Sequence, residues 1–351
     1  MRHDPAGNLL PKRSRRAFRA WALLAAACGL AVLGVTGCGG GANGGGGTVG
    51  NTITIAAVPG VENAPIYLAK KEGLFAAAGL KNVVIKTYST QAAALNAIQT
   101  AQADIAASDY GTIFYQQAQS HDLRILGDGY DAGPGVLEIL TLPNSSIKTP
   151  LNLAGQRVGL PSDSVLPGLA SSSGPISLDA AAATQVLQNY LGNYAESVQW
   201  VPMPQAQEVR ELEQHTLKAI LVSEPYIYQA ESQAGAIEVL DACSGSTSGL
   251  PLAGYVAMNA WVKENPAAVT DFQQALANAQ SNASMTGQVQ QLLPTTTGIS
   301  AQAADLITIG SYPTSTSVLG LERVVRLMAL SPFGILNPEH PPAVPPMMAR
   351  G

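Results

Sequence analysis

The sequence predicts an α/β chain of two lobes, each built on a mainly parallel sheet, with a cleft between them. Three observations carry this reading. Short apolar strands alternate with helical stretches along most of the chain, the pattern of repeated β-α-β units. At 351 residues the chain is long for one compact core, so two lobes are favoured. Its 46% hydrophobic and 12% charged residues supply a large core and argue against disorder over the bulk.

The organising stretch is ITIAAVPGVENAPIYLAKKEGLF, residues 53–75. Ile53 to Ala57 suits a strand buried on both faces of a parallel sheet. A turn follows at Pro59-Gly60. Asn63 caps the next helix, Pro65 sits in its first turn where a missing N–H costs nothing, Leu68 and Ala69 face inward, and Gly73 stops it. In open α/β sheets ligands collect at the carboxyl ends of strands, where helix N-termini present free N–H groups, so Asn63, Ala64 and Pro65 are candidate contacts. The run APIYLAKKEGLFAAAGL resembles the first helix of the periplasmic substrate-binding proteins of the nitrate/sulfonate/taurine and thiamine-precursor (pyrimidine) family, which serve ABC importers. That resemblance implies a type II periplasmic-binding-protein fold with a hinged ligand cleft.

Residues 83–87 read as the second strand, 91–101 as an Ala-rich helix and 104–107 as the third strand. The phrase ALNAIQTAQADIAAS resembles the family, with Gln102 and Ala103 standing where a Gly-containing turn is usual. Ser108-Asp109-Tyr110-Gly111 should form a second cleft loop before a helix over 112–119, which makes Ser108 and Asp109 candidates. Capping of that helix is an equally good role for Asp109. A strand over 123–127 precedes the flexible run Asp131-Ala132-Gly133-Pro134-Gly135, taken as the first crossing between lobes.

The second lobe opens with a strand over 136–142. SSIKTPLNLAGQRVGLPSDS then resembles a family phrase, with Gly155 ending a one-turn helix and a strand over 157–160. Ser162 and Asp163 in the loop Pro161 to Ser164 should face the cleft. SVLPGLASSSGPISLD departs from the family and reads as loop over 164–177. A helix over 178–191, a strand over 198–202, a helix over 208–215 and a strand over 219–222 lead to Ser223-Glu224-Pro225-Tyr226. KAILVSEPYIYQA resembles the family's strand-to-helix junction, although Lys218 replaces the usual acidic residue. Glu224 is suited to accept hydrogen bonds and Tyr226 to stack on a ligand; capping and packing are the alternatives. The strand 255–258 returns to the first lobe, Asn265-Pro266 start a helix with Val269, Phe272, Leu276 and Ala279 on one face, and a last helix turns Leu321, Val324, Val325 and Met328 inward. The expected division is thus 52–135 plus 246–336 for the first lobe and 136–245 for the second, with a disordered tail over 337–351.

The first 37 residues read as an export signal. Lys12, Arg13, Arg15, Arg16 and Arg19 precede an apolar run from Ala20 to Gly34, and Val35-Thr36-Gly37-Cys38 resembles a bacterial lipoprotein cleavage site. Cleavage there would place a lipid on Cys38 and a Gly-rich tether over 38–51 between membrane and body. The apolar run is shorter than the roughly 20 residues of a membrane span. Ser14-Arg15-Arg16-Ala17-Phe18 also resembles a twin-arginine signal, leaving two export routes open. The segment holds six of the 19 basic residues and one of the 24 acidic ones, so the remainder, with 13 basic and 23 acidic residues, carries −10. Such acidity argues against nucleic acid and anionic lipid as partners. Cys243 is then left alone and reads as an inert packed thiol.

His3, His121, His215 and His340 lack metal spacing, no cofactor motif appears, and the cysteine-rich motif of the family's fungal pyrimidine synthases is missing. The expectation is a lipid-anchored, monomeric solute-binding protein on the extracytoplasmic face of the cell membrane, without catalysis, passing a small molecule to an ABC permease. A sulfonate-, taurine- or nitrate-binding member of the same family, a ligand-sensing lipoprotein and a pyrimidine-synthase-like enzyme are the alternatives. The loops assigned to the cleft carry Glu62, Asp109, Asp131, Asp163 and Glu224 but no Lys or Arg. Like charges repel in a partly desolvated cleft, which favours a neutral or cationic nitrogenous ligand such as a thiamine-related pyrimidine over nitrate, taurine or sulfonates.

Overall fold

The computed structural model describes residues 52–119, 121–171 and 174–329. The expected signal over 1–37, the tether over 38–51 with its Cys38, and the tail over 337–351 lie outside the described residues.

The chain begins with β1 (Ile53–Ala57), a 3-10 turn at Val61–Asn63, α1 (Ala64–Lys71), α2 (Leu74–Ala78), β2 (Val83–Thr87), α3 (Gln91–Gln99), β3 (Ile105–Asp109), α4 (Tyr110–Ala118) and β4 (Leu123–Asp131). It continues through β5 (Leu137–Thr141), β6 (Arg157–Pro161), the two-residue strands β7 (Ala170–Ser171) and β8 (Gly174–Pro175), α5 (Leu178–Leu191), β9 (Gln199–Met203), α6 (Gln205–Glu213), β10 (Ala219–Ser223), α7 (Tyr226–Ala234) and β11 (Ile237–Asp241). It ends with β12 (Pro251–Met258), α8 (Asn259–Glu264), α9 (Pro266–Ala283), α10 (Thr286–Thr296), α11 (Ala301–Ala304) and α12 (Val318–Ala329).

Two five-stranded sheets result, ordered β2-β1-β3-β12-β4 and β11-β5-β10-β6-β9. Both are mixed. Pairing is parallel where strand, helix and strand follow one another, as in β1 with β2 and β3, and in β6 with β9 and β10. It is antiparallel around β12 and β5, the strands that follow a passage from one sheet to the other. The 164–177 segment, read as loop, carries the small β7–β8 ladder.

Each sheet is held by apolar faces of its helices. Val269, Phe272, Leu276 and Ala279 of α9 are buried against the first sheet, where Phe272 stacks on Phe75 at 6.2 Å and meets Tyr255 edge-on at 5.7 Å. Leu321, Val324, Val325 and Met328 of α12 are buried as their spacing predicts. In the second sheet Leu140, Ile220 and Val222 pack with Val209 and Leu212 of α6.

Several boundaries move. The 91–101 helix stops at Gln99 because Ala101 adopts φ 54° and closes a Schellman turn, Gln102 N–H donating to the Ala97 carbonyl at 2.8 Å. An alanine, not a glycine, thus takes the left-handed position of this turn. β3 extends through Asp109, so Ser108 and Asp109 are strand residues rather than loop, and α4 starts at Tyr110. β4 reaches Asp131 and leaves a shorter crossing, β12 starts at Pro251 rather than 255, and α6 starts at Gln205 rather than 208.

Candidate functional site

The carboxyl ends of both sheets face a common cavity of about 610 Å³. From the first sheet it is lined by Val58, Pro59, Gly60 and Glu62 after β1, Tyr88 and Ser89 after β2, Gln91 at the start of α3, Asp109 at the end of β3 and Tyr130 in β4. The second sheet contributes Pro161, Ser162, Asp163 and Ser164 after β6, Asp179 in the first turn of α5, Gln205 after β9, and Ser223, Glu224, Pro225 and Tyr226 after β10. The rims are joined by a backbone hydrogen bond, Gln91 N–H to the Asp163 carbonyl at 3.0 Å. Among the described residues no Lys, Arg or His lines this space.

Five of the nine candidate residues reach the cavity: Asp109, Ser162, Asp163, Glu224 and Tyr226. Asn63, Ala64, Pro65 and Ser108 do not line it, and all four are buried. The reason at Asn63 is the 3-10 turn ahead of α1. Asn63 makes no side-chain cap; its amide donates instead to the Val58 carbonyl at 2.8 Å and to Glu62 Oε1 at 3.4 Å, bracing the loop that carries Glu62. Ser108 points into the core, since successive strand residues alternate faces and Asp109 takes the outward direction. Asp131 also misses the cavity: it sits at the end of β4, bridged to Ser311 through backbone hydrogen bonds.

Asp109 both caps α4 and lines the cavity. Its carboxylate accepts from the Thr112 N–H at 2.8 Å and the Thr112 hydroxyl at 2.6 Å. Glu224 ties the two sides together, accepting from Thr308 N–H at 3.0 Å and Tyr228 N–H at 3.1 Å. Asp179 accepts from the Ser164 hydroxyl at 2.7 Å. Glu62 rests against Gly60, where a Cβ would overlap its carboxylate. Gly60 is therefore what lets that acid lie on the loop.

Burial dominates the electrostatics. It pushes the Glu62 carboxyl up to about 7, with its own backbone hydrogen bond opposing and Asp163, Asp179 and Asp109 adding to the rise. Burial likewise raises Asp109 to about 7, against the Thr112 hydrogen bonds, and Asp179 to about 6, against Ser164. Asp163 and Glu224 are raised for the same first reason. Glu62, Asp109, Asp163 and Asp179 thus feel one another across the cleft.

Asp179, Gln91, Gln205 and Tyr130 escaped the sequence reading. Asp179 follows a helix N-cap, Ser177, and a first-turn acid there reads as helix stabilisation. Gln91 heads α3 like any first-turn residue. Cys243 is buried and its thiol is pushed up by that burial. Among the described residues no three His, Cys, Asp or Glu gather closely enough to hold a metal ion, and no helix is long and apolar enough to cross a membrane.

The family model described as NMT1/THI5 like matches residues 61–285. No curated protein sequence matches the chain. The fold is shared with solved structures. These include the alkanesulfonate-binding protein SsuA from Xanthomonas axonopodis pv. citri bound to MOPS (14% identity, 85% of this chain, 98% of that chain, TM-score 0.64). They include the periplasmic nitrate-binding protein NrtA from Synechocystis PCC 6803 (16% identity, 72% of this chain, 68% of that chain, TM-score 0.55). The desulfurization enzyme DSZB is also among them (15% identity, 83% of this chain, 94% of that chain, TM-score 0.58).

Proposed function

Since the chain belongs to the NMT1/THI5-like family, we propose that it is an extracytoplasmic solute-binding protein that encloses a small nitrogenous molecule and hands it to an ABC importer. The observation that carries this is the cavity of about 610 Å³ at the carboxyl ends of two sheets, the size of a small-molecule site, with rims bridged by Gln91 and Asp163. Binding in such a cleft gains from lobe closure, which excludes water around the polar groups. Alkanesulfonate binding and periplasmic nitrate binding are what the similar structures' descriptions state of those proteins.

The lipid anchor belongs to the same proposal: Cys38 would hold the chain at the outer face of the membrane through the Gly-rich segment over 38–51, as a monomer beside its permease. Catalysis is not part of it. The buried Cys243 thiol is held away from the thiolate form by burial, which disfavours its use as a nucleophile. The carboxylate lining favours a neutral or cationic ligand, a thiamine-related pyrimidine among them, over the anions that some fold relatives take.

The test is small-angle scattering of the purified full chain with and without candidate solutes. A binder should lower the radius of gyration and be recovered chemically unchanged. Recovery of a converted product would replace the receptor by an enzyme, and no compaction with any tight-binding solute would overturn lobe closure.

A further inference from the structure

The cavity is unusual in what it lacks. Its five carboxylates, Glu62, Asp109, Asp163, Asp179 and Glu224, face no Lys, Arg or His among the described residues. A second, independent observation points the same way. Gln91, only 6% exposed, lines the same cavity, and its Oε1 has no hydrogen-bond partner. A buried amide oxygen without a donor costs desolvation free energy until a ligand N–H meets it. Protein donors are already committed on the other acids: Thr112 on Asp109, Thr308 and Tyr228 on Glu224, Ser164 on one oxygen of Asp179. Beside neutral hydroxyls such as those of Ser89, Ser162 and Tyr226, the charged groups the site offers a solute are all acceptors.

We propose that the cavity takes a small organic dication, whose two N–H-rich ammonium or guanidinium centres lie apart, each beside one or two of the carboxylates of Glu62, Asp109, Asp163, Asp179 and Glu224 rather than within a single cage of them. This rests on the solute-receptor reading above. One positive centre leaves the remaining acids of the cleft facing each other, and a second one offsets repulsion that no protein cation relieves. Tyr88, Tyr130 and Tyr226 add aromatic wall, which suits alkylammonium and guanidinium groups. An inorganic cation fits less well, because no three potential ligands converge among the described residues and the cavity of about 610 Å³ has the volume of an organic molecule. The raised carboxyls then act together with the geometry: as the dication enters, protons leave Glu62 and Asp109 and the ion pairs form.

Isothermal titration calorimetry of the purified full chain at pH 7 tests this with putrescine, agmatine, butylamine, the hydroxymethylpyrimidine of thiamine, taurine, nitrate and zinc chloride. Putrescine or agmatine should bind at least tenfold more tightly than butylamine, with an enthalpy that varies with the buffer because protons are released. Glu62→Gln, Asp163→Asn and Gln91→Leu should each weaken diamine binding at least tenfold. The two acid replacements should raise rather than lower the melting temperature of the empty protein, which a scaffold role would not produce. Equal affinity for butylamine and putrescine, or binding of zinc alone, overturns the dication. Tight binding of only taurine, nitrate or the pyrimidine overturns it too while keeping the receptor, whereas no binder in this panel or in a metabolite extract overturns both.

Discussion

Glu62→Gln isolates the free energy stored in the acidic cleft. In the folded chain this carboxyl titrates at about 7 against 4.5 in water, chiefly because burial disfavours the anion. At roughly 1.4 kcal/mol per pH unit, the folded state holds that proton about 3 kcal/mol more tightly than the unfolded state. Below pH 4.5 both states are protonated and the contribution is fully present. It is lost as pH rises through 7, where the folded state must ionise a buried acid beside Asp163, Asp179 and Asp109. Glutamine has the same shape and never ionises. The empty variant should therefore match the wild type near pH 4 and exceed it by about 3 kcal/mol at pH 8, a rise of about 5 °C in melting temperature for a chain of this size. Differential scanning calorimetry at pH 4, 6 and 8 reads this directly. A variant that is less stable by the same amount at all three values would refute the reasoning, since it would make Glu62 a packing residue whose charge is irrelevant.

Gly60→Ala puts a methyl group where the Glu62 carboxylate lies, so ligand affinity should fall at least tenfold, about 1.4 kcal/mol, with little change in melting temperature, as calorimetry of binding and unfolding will report. Glu224→Ala removes the acceptor shared by Thr308 and Tyr228 and should cost about 1–3 kcal/mol of stability together with binding. Tyr226→Ala should lower only affinity; equal stability losses in the two would contradict the bridging role of Glu224. Ala101→Gly relieves a left-handed backbone at the end of α3 and should stabilise by about 1 kcal/mol in denaturant titrations. Cys38→Ala should abolish incorporation of labelled fatty acid and release the chain from membranes, and incorporation surviving the change would remove the proposed anchor.

The alternation of strands and helices was legible because apolar runs, Pro and Gly punctuate each unit, and the helix faces of α9 and α12 follow their spacing. Site residues were legible where a strand ends directly at the cleft, as at Asp163 and Glu224. Asp179 was not, because its place beside Ser164 depends on how the intervening 164–177 segment folds back. Asn63 and Asp131 went the other way. Both stand near strand ends, yet a 3-10 turn redirects the first and two further residues of β4 pairing, Tyr130 with Ala253 and Asp131 with Pro251, carry the second off the cleft. Local pattern reports which end of a strand a residue occupies, whereas the direction of its side chain depends on register.

The bond between Gln91 N–H and the Asp163 carbonyl uses backbone atoms alone. Any residue except proline at position 91, and any residue at all at 163, can make it. Replacing these two side chains can therefore alter which solute is preferred without removing the backbone bond that joins the two rims. Ligand preference and the contact between the rims thus rest on different atoms of the same two residues.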